Sequence, residues 1–148
     1  MPTRYVAVCG ASQATAAQLD AAREVGRLLA ESGAVVLNGG LGGVSEAASK
    51  GAADAGGVVV GLLPDEDRRG ANPHLTISLP TGMGQARNVL IVTAAEAVIA
   101  IGRGWGTLSE IATARRLGRS VTALDSWPVE GLDTAMTPAE AVKRALES

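Results

Sequence analysis

Val58-Val59-Val60-Gly61-Leu62-Leu63 is apolar without interruption, whereas a strand with one wet face would alternate apolar with polar residues. Such a run predicts a strand covered on both faces, as in a parallel sheet held between helices. Tyr5-Val6-Ala7-Val8-Cys9, Ala34-Val35-Val36-Leu37 and Ala97-Val98-Ile99-Ala100-Ile101 share that composition and read as further strands. Residues 74–78 read as a weaker one and 120–124 as the last. Helical period fills the intervals. Residues 14–32 carry Ala22, Val25, Leu28 and Leu29; a second stretch runs through Val44, Ala47, Ala48, Ala52 and Ala55. A third carries Ala86, Val89, Leu90 and Thr93, and a fourth runs over 107–117. Gly33 and Gly56-Gly57 stop the first two. A last helix opens at Thr137-Pro138-Ala139-Glu140, with Thr as cap, Pro at the first helical position and Glu closing a capping box. Alternating strands and helices predict a three-layer αβα sandwich around a doubly wound, mostly parallel, Rossmann-like sheet, as a single domain over 1–148.

Composition narrows the function. With 148 residues, 47% hydrophobic and 19% charged, the chain is a folded domain of a size that needs no disulfide or metal. There are two Trp, one Tyr and no Phe, so Val, Ile, Leu and Ala must fill the core. The net charge is −2 and the basic residues are scattered, which predicts no nucleic acid partner. One cysteine and one histidine make neither a zinc site nor a disulfide framework, so no metal site is expected. No apolar run reaches the roughly 18 residues of a membrane span, and no basic leader precedes Tyr5. A cytoplasmic protein without a membrane partner is expected. Cys9 reads as an inert core thiol, His74 as structural, Trp127 as cover for the end of the sheet, and 65–69 as solvated residues of the longest loop.

In doubly wound sheets ligands bind outside the carboxyl ends of the strands, and the glycine clusters lie there. Gly10 follows the first strand, Gly39, Gly40, Gly42 and Gly43 the second, and Gly102, Gly104 and Gly106 the fifth; Gly82 and Gly84 precede a helix. Each cluster hands the chain to a helix N-terminus, whose free amides and positive dipole end favour an anion. Any single cluster is equally a tight turn, but several on one rim predict an anion seat. The usual dinucleotide signature is missing: Gly10-Ala11-Ser12 is not G-x-G-x-x-G, and Asn38 stands where an acidic residue would end the second strand. No P-loop occurs either.

Gly82-Met83-Gly84-Gln85-Ala86-Arg87-Asn88 and Ile101-Gly102-Arg103-Gly104-Trp105-Gly106-Thr107-Leu108-Ser109-Glu110 are the most informative stretches. In them the sequence resembles the Lonely Guy (LOG) superfamily, which has a P-G-G-x-G-T-x-x-E loop preceded by an R-K helix. The nearer resemblance is to its small branch that includes the molybdenum-cofactor carrier proteins, with a G-M-G-x-A-R-N segment and a looser G-x-G-x-G-T-x-x-E loop. It extends from Cys9-Gly10-Ala11-Ser12 through 39–43 to Arg119. The resemblance implies a phosphate cradled by Gly104, Gly106 and Thr107, with help from the 39–43 loop and Ser12. In the enzymatic relatives the residues matching Arg87 and Glu110 cleave the N-glycosidic bond of a nucleoside 5′-monophosphate. Gly102-Arg103-Gly104 in place of P-G-G, and Arg87-Asn88 in place of R-K, weigh against hydrolysis and leave phosphate binding intact.

The resemblance thus implies a binding protein for a nucleotide or phosphorylated pterin, the molybdenum cofactor included, with no cofactor required for the fold. A phosphoribohydrolase releasing free base and ribose 5-phosphate is the alternative, and an interaction module that kept only the fold is a third. A homo-oligomer, dimer or tetramer, is also implied. Several residues retain plainer readings. Thr107-x-x-Glu110 has the spacing of a capping box, and Arg87 could be a surface arginine. Arg103 could grip a second phosphate or be solvated. Trp105 could stack on a flat heterocycle or fill a subunit interface.

Overall fold

The computed structural model describes residues 2–148. Seven parallel strands form one sheet: β1 (Tyr5–Gly10), β2 (Val35–Asn38), β3 (Val59–Leu63), β4 (Ile77–Pro80), β5 (Ala97–Gly102), β6 (Ser120–Ser126) and β7 (Asp133–Ala135). Their order is β4-β3-β2-β1-β5-β6-β7. The order therefore reverses between β1 and β5, which places the switch point there. The helices are α1 (Ala16–Glu31), α2 (Val44–Asp54), α3 (Arg87–Ala94), α4 (Trp105–Arg116) and α5 (Pro138–Leu146).

Strand alternation divides the core in two. Val6 and Val8 of β1, with Val36, Val59, Ile99 and Ile101, pack beneath α1, α2 and α5. Ala7 and Cys9, with Leu37, Val98, Ala100 and Val121, pack beneath α3 and α4. The three-layer sandwich expected from the sequence is what the chain forms. Among the described residues no helix is long and apolar enough to cross a membrane.

Close approach of α1 to α2 uses two glycines the sequence reading left aside. A Cβ on Gly26 would lie 2.0 Å from the Ala48 carbonyl oxygen, and one on Gly51 would lie 1.9 Å from that of Arg23. Both contacts are with backbone, so the helices must separate to admit a methyl group. Gly26→Ala is expected to lower stability by about 1–3 kcal/mol in urea denaturation, the usual cost of overpacking.

The structure corrects several boundaries. The weak strand lies at Ile77–Pro80 rather than at 74–78, because the Asn72 side chain accepts the His74 amide and Thr76 pairs with Val59 before the strand begins. The short, polar β7 carries no apolar pattern and was not expected. Helix α4 begins at Trp105, two residues early. The α5 capping box is half formed: Thr137 accepts the Glu140 amide, while the Glu140 carboxylate accepts from Met136. Finally, the run at 58–63 is not covered on both faces along its length. Val58 is exposed, and Val60 and Leu62 are half-buried, because only α3 and α4 cover their side of seven strands.

Candidate functional site

Above the switch point lies a cleft of about 310 Å³. Its lining includes the predicted Gly10, Ser12, Gly39, Gly42, Arg87, Gly104, Trp105, Gly106, Thr107 and Glu110. Gly40, Gly43, Gly82 and Arg103 stand outside it. Gly40 holds a left-handed turn, φ 76°, where a side chain would strike Leu63. Gly43 lets the α2 turn touch the backbone of Ala11 and Ser12, the Gly82 amide donates to Asp65, and Arg103 is exposed to solvent. Residues not named among the candidate site residues complete the wall: Cys9, Ala11, Leu41, Ser45, Gln85 and Asn88.

Asn38 explains the absence of an acidic residue at the end of β2. Its side-chain oxygen accepts the Gly40 amide at 2.8 Å, and its amide nitrogen donates to Ser49 Oγ at 2.8 Å. Asn72 fastens the same loop from the other side, donating to the carbonyls of Leu41 and Gly40. The 39–43 turn is therefore fixed by two buried amides, each bonding in both directions as a carboxylate could not.

Arg87 opens α3 and is only 5% exposed. Its Nη1 donates to Asn88 Oδ1 at 2.5 Å and to Gln85 Oε1 at 3.2 Å, and its Nη2 donates to the Gly39 carbonyl at 3.4 Å. All three acceptors are neutral. Its Nε is buried without a partner, and no carboxylate lies within 4 Å of the guanidinium. Burial pushes its pKa down, with Glu110, Cys9 and Asp65 opposing the shift; an arginine nonetheless stays a cation. The reading of Arg87 as a surface side chain is thereby overturned.

The first turn of α4 faces the same space. Gly104 is its N-cap and has no side chain to offer, and no acidic residue occupies the turn. Thr107 Oγ1 is buried without a partner. The capping-box reading of Thr107 and Glu110 fails for that reason: the helix starts two residues earlier, and neither side chain closes its end. Glu110, 8% exposed, lines the cleft with Cys9 instead. Burial raises its pKa, while the neighbouring Cys9 thiol and the charge of Arg87 pull it partly back. Burial also raises the pKa of Cys9, and Glu110 adds to the rise. Cys9 is thus a buried, protonated thiol, the inert core residue expected from the sequence, that also borders the cleft floor.

This is a Rossmann-like α/β protein with a cleft at the switch point of its sheet, one buried cation in the wall and an uncapped helix end beside it. The chain belongs to the SLOG cluster4 family, whose model matches residues 3–147. It is 43% identical to an uncharacterized protein of Archaeoglobus fulgidus over 149 residues, covering all of this chain and 98% of that one. The structure of the molybdenum cofactor binding protein from the phototrophic bacterium Rippkaea orientalis matches with a TM-score of 0.92 at 33% identity, covering 97% of this chain and 95% of the other. That of the molybdenum cofactor carrier protein from Chlamydomonas reinhardtii matches at 0.90 with 28% identity, over 99% and 100%.

Proposed function

We propose that the protein binds a phosphorylated small molecule, a nucleotide or a phosphorylated pterin such as the molybdenum cofactor, with the phosphate between Arg87 and the first turn of α4. One observation carries this reading: Arg87 is buried with neutral acceptors only. A buried cation is costly until it is paired, and an anion in the cleft supplies the pair. The same anion would meet Thr107 Oγ1 and the α4 amides, donors that the protein leaves free.

The donor set suits a pterin or purine as well as a phosphate. Ser45, Gln85 and Asn88 are polar cleft residues that can meet ring nitrogens and carbonyls. A volume of about 310 Å³ falls within the range of about 300–1,000 Å³ usual for small ligands. Among the described residues no group of His, Cys, Asp and Glu is placed to hold a metal. A metal in such a ligand would therefore be carried by the ligand's own atoms, as cargo. Calorimetric titration with AMP, neopterin monophosphate and molybdenum cofactor released from a molybdoenzyme tests the reading. A ligand at 100 times its Kd adds about 2.7 kcal/mol of stability. Failure of every phosphorylated probe to bind or to raise Tm refutes it.

Glu110 favours a second reading, hydrolysis of a nucleoside 5′-monophosphate. A buried carboxyl with a raised pKa, beside a cation in a cleft, suits a group that orients water against the anomeric carbon. Free base appearing on incubation with AMP would select it.

The expected association also has a candidate face. Ile77 and Leu79 pair with Val60 and Leu62, so they share the α3 side of the sheet, and both are more than 40% exposed. Val89 and Leu90 of α3 are exposed as well. We propose that a second copy of the chain covers this face. Light scattering should show a dimer or tetramer for the wild type and a monomer for the double variant Leu79→Asp, Leu90→Asp. A monomeric wild type removes the proposal.

A further inference from the structure

The chain's two tryptophans stand together at the mouth of the cleft, ring centroids 5.2 Å apart and planes tilted by 33°. Trp105 lines the cleft and is 78% exposed, although no aromatic residue is among the fully buried core residues and only Trp127 packs against them. Its pedestal is built from the end of β6. A register shift in the β5–β6 pairing sets Ser126 opposite Gly102, with Asp125 in the left-handed region at φ 51°, which a non-glycine residue rarely adopts. From there Ser126 Oγ donates to the Gly102 carbonyl at 2.6 Å, and Trp127 Nε1 donates to the Gly104 carbonyl at 2.9 Å. Trp127 is thereby tied to the loop that leads into α4, and it backs Trp105. The expectation that Trp127 merely covers the end of the sheet misses this tie.

We infer that Trp105, backed by Trp127, is the stacking platform for the ligand's flat bicyclic heterocycle, a purine or a pterin. This rests on the phosphate reading above. Trp105 is the first residue of α4 and Thr107 the third, so ring platform and phosphate donors lie within one helical turn, about 5.4 Å. Gly106, between them, places no side chain in that space, and Asn88 Nδ2 stands 3.8 Å from where its Cβ would be. Asn88 Oδ1 is already engaged by Arg87, which turns its amide nitrogen to serve as a donor to the ring edge. Indole and bicyclic ligand rings both present large π faces, and stacking of that kind discriminates flat ligands from sugars bearing the same phosphate.

The test compares three probes by calorimetry: AMP, neopterin monophosphate and ribose 5-phosphate, the last having phosphate but no ring. Wild type should bind at least one of the ring compounds more tightly than ribose 5-phosphate, with quenching of tryptophan fluorescence. Trp105→Ala should weaken that ring compound about 5- to 100-fold, the range that base–aromatic stacking supports, and leave ribose 5-phosphate unchanged. Trp105→Phe should recover most of the loss. Trp105 is exposed, so the variants should keep the wild-type Tm. Equal binding of ring and ringless phosphates by wild type overturns the platform while the phosphate seat stands. So does Trp105→Ala that alters the oligomeric state and leaves ring-compound affinity intact. If no phosphorylated probe binds wild type, the seat and the platform fall together.

Discussion

Arg87→Met is expected to weaken binding of a phosphorylated ligand by at least about 100-fold while leaving the empty protein as stable as wild type or slightly more so. The two effects have one origin. Hydrogen bonds to a charged group contribute about 1.5–3 kcal/mol each, and truncating one partner of a buried charged pair costs about 2–5 kcal/mol. Either figure supports a loss of two orders of magnitude. In the empty protein, however, the guanidinium sits 5% exposed with no carboxylate within 4 Å, so its burial is uncompensated and a methionine of similar length relieves it. Arg87→Lys keeps the charge and loses the planar fork, and should recover only part of the affinity. Calorimetry gives the binding and thermal denaturation the stability. Unchanged affinity in Arg87→Met would remove the phosphate seat from this cleft; a sharp fall in Tm would make Arg87 a structural residue instead.

How much of this was legible in the chain depends on the kind of signal. Val6, Val8, Val98, Ile99 and their neighbours announce buried parallel strands because covering both faces of a sheet demands apolar residues at every position. The switch-point cleft followed from the glycine turns after β1, β2 and β5 together with the rule for open α/β sheets. Helix α4 was misplaced at its start because Gly104 caps through backbone geometry alone, while Thr107 and Glu110 imitate the side-chain signature of a cap. Asn38, Asn72 and Ser49 were invisible as a network, since their bonding depends on residues 11 to 31 positions apart meeting in space. Cys9 reads as core because its strand is core, and core it is; only the packing shows that it also borders the cleft beside Glu110. Arg103, by contrast, looked functional from its place between two glycines, and its side chain points to solvent. Residue type and spacing gave the walls; which side chains turn inward was decided by tertiary packing.

Glu110→Gln should separate a carrier from a hydrolase. Burial lifts the carboxyl above the ordinary range of about 4.3, so the folded protein holds this proton more tightly than the unfolded chain does. Between the unfolded and folded values the native state therefore carries the extra proton, and stability falls as pH rises through that window. Above that window the full cost of a buried carboxylate is present. Glu110→Gln removes that cost, so its gain in Tm over wild type should be larger above the window and shrink as the solution is acidified through it. Above that window an ionised Glu110 also repels an incoming phosphate, so there the variant should bind AMP or neopterin monophosphate as tightly as wild type or up to about 10-fold more tightly. A phosphate has its own titration near pH 6, but wild type and variant share it at each pH, and their ratio isolates the carboxyl. If the protein is a carrier, that gain is the whole phenotype. If it hydrolyses AMP, the same substitution should cut release of free base by about 10²- to 10⁴-fold, the contribution of a positioned acid–base group, while leaving the nucleotide bound. Loss of binding in Glu110→Gln would contradict both, because it would make the carboxylate itself a contact to the ligand.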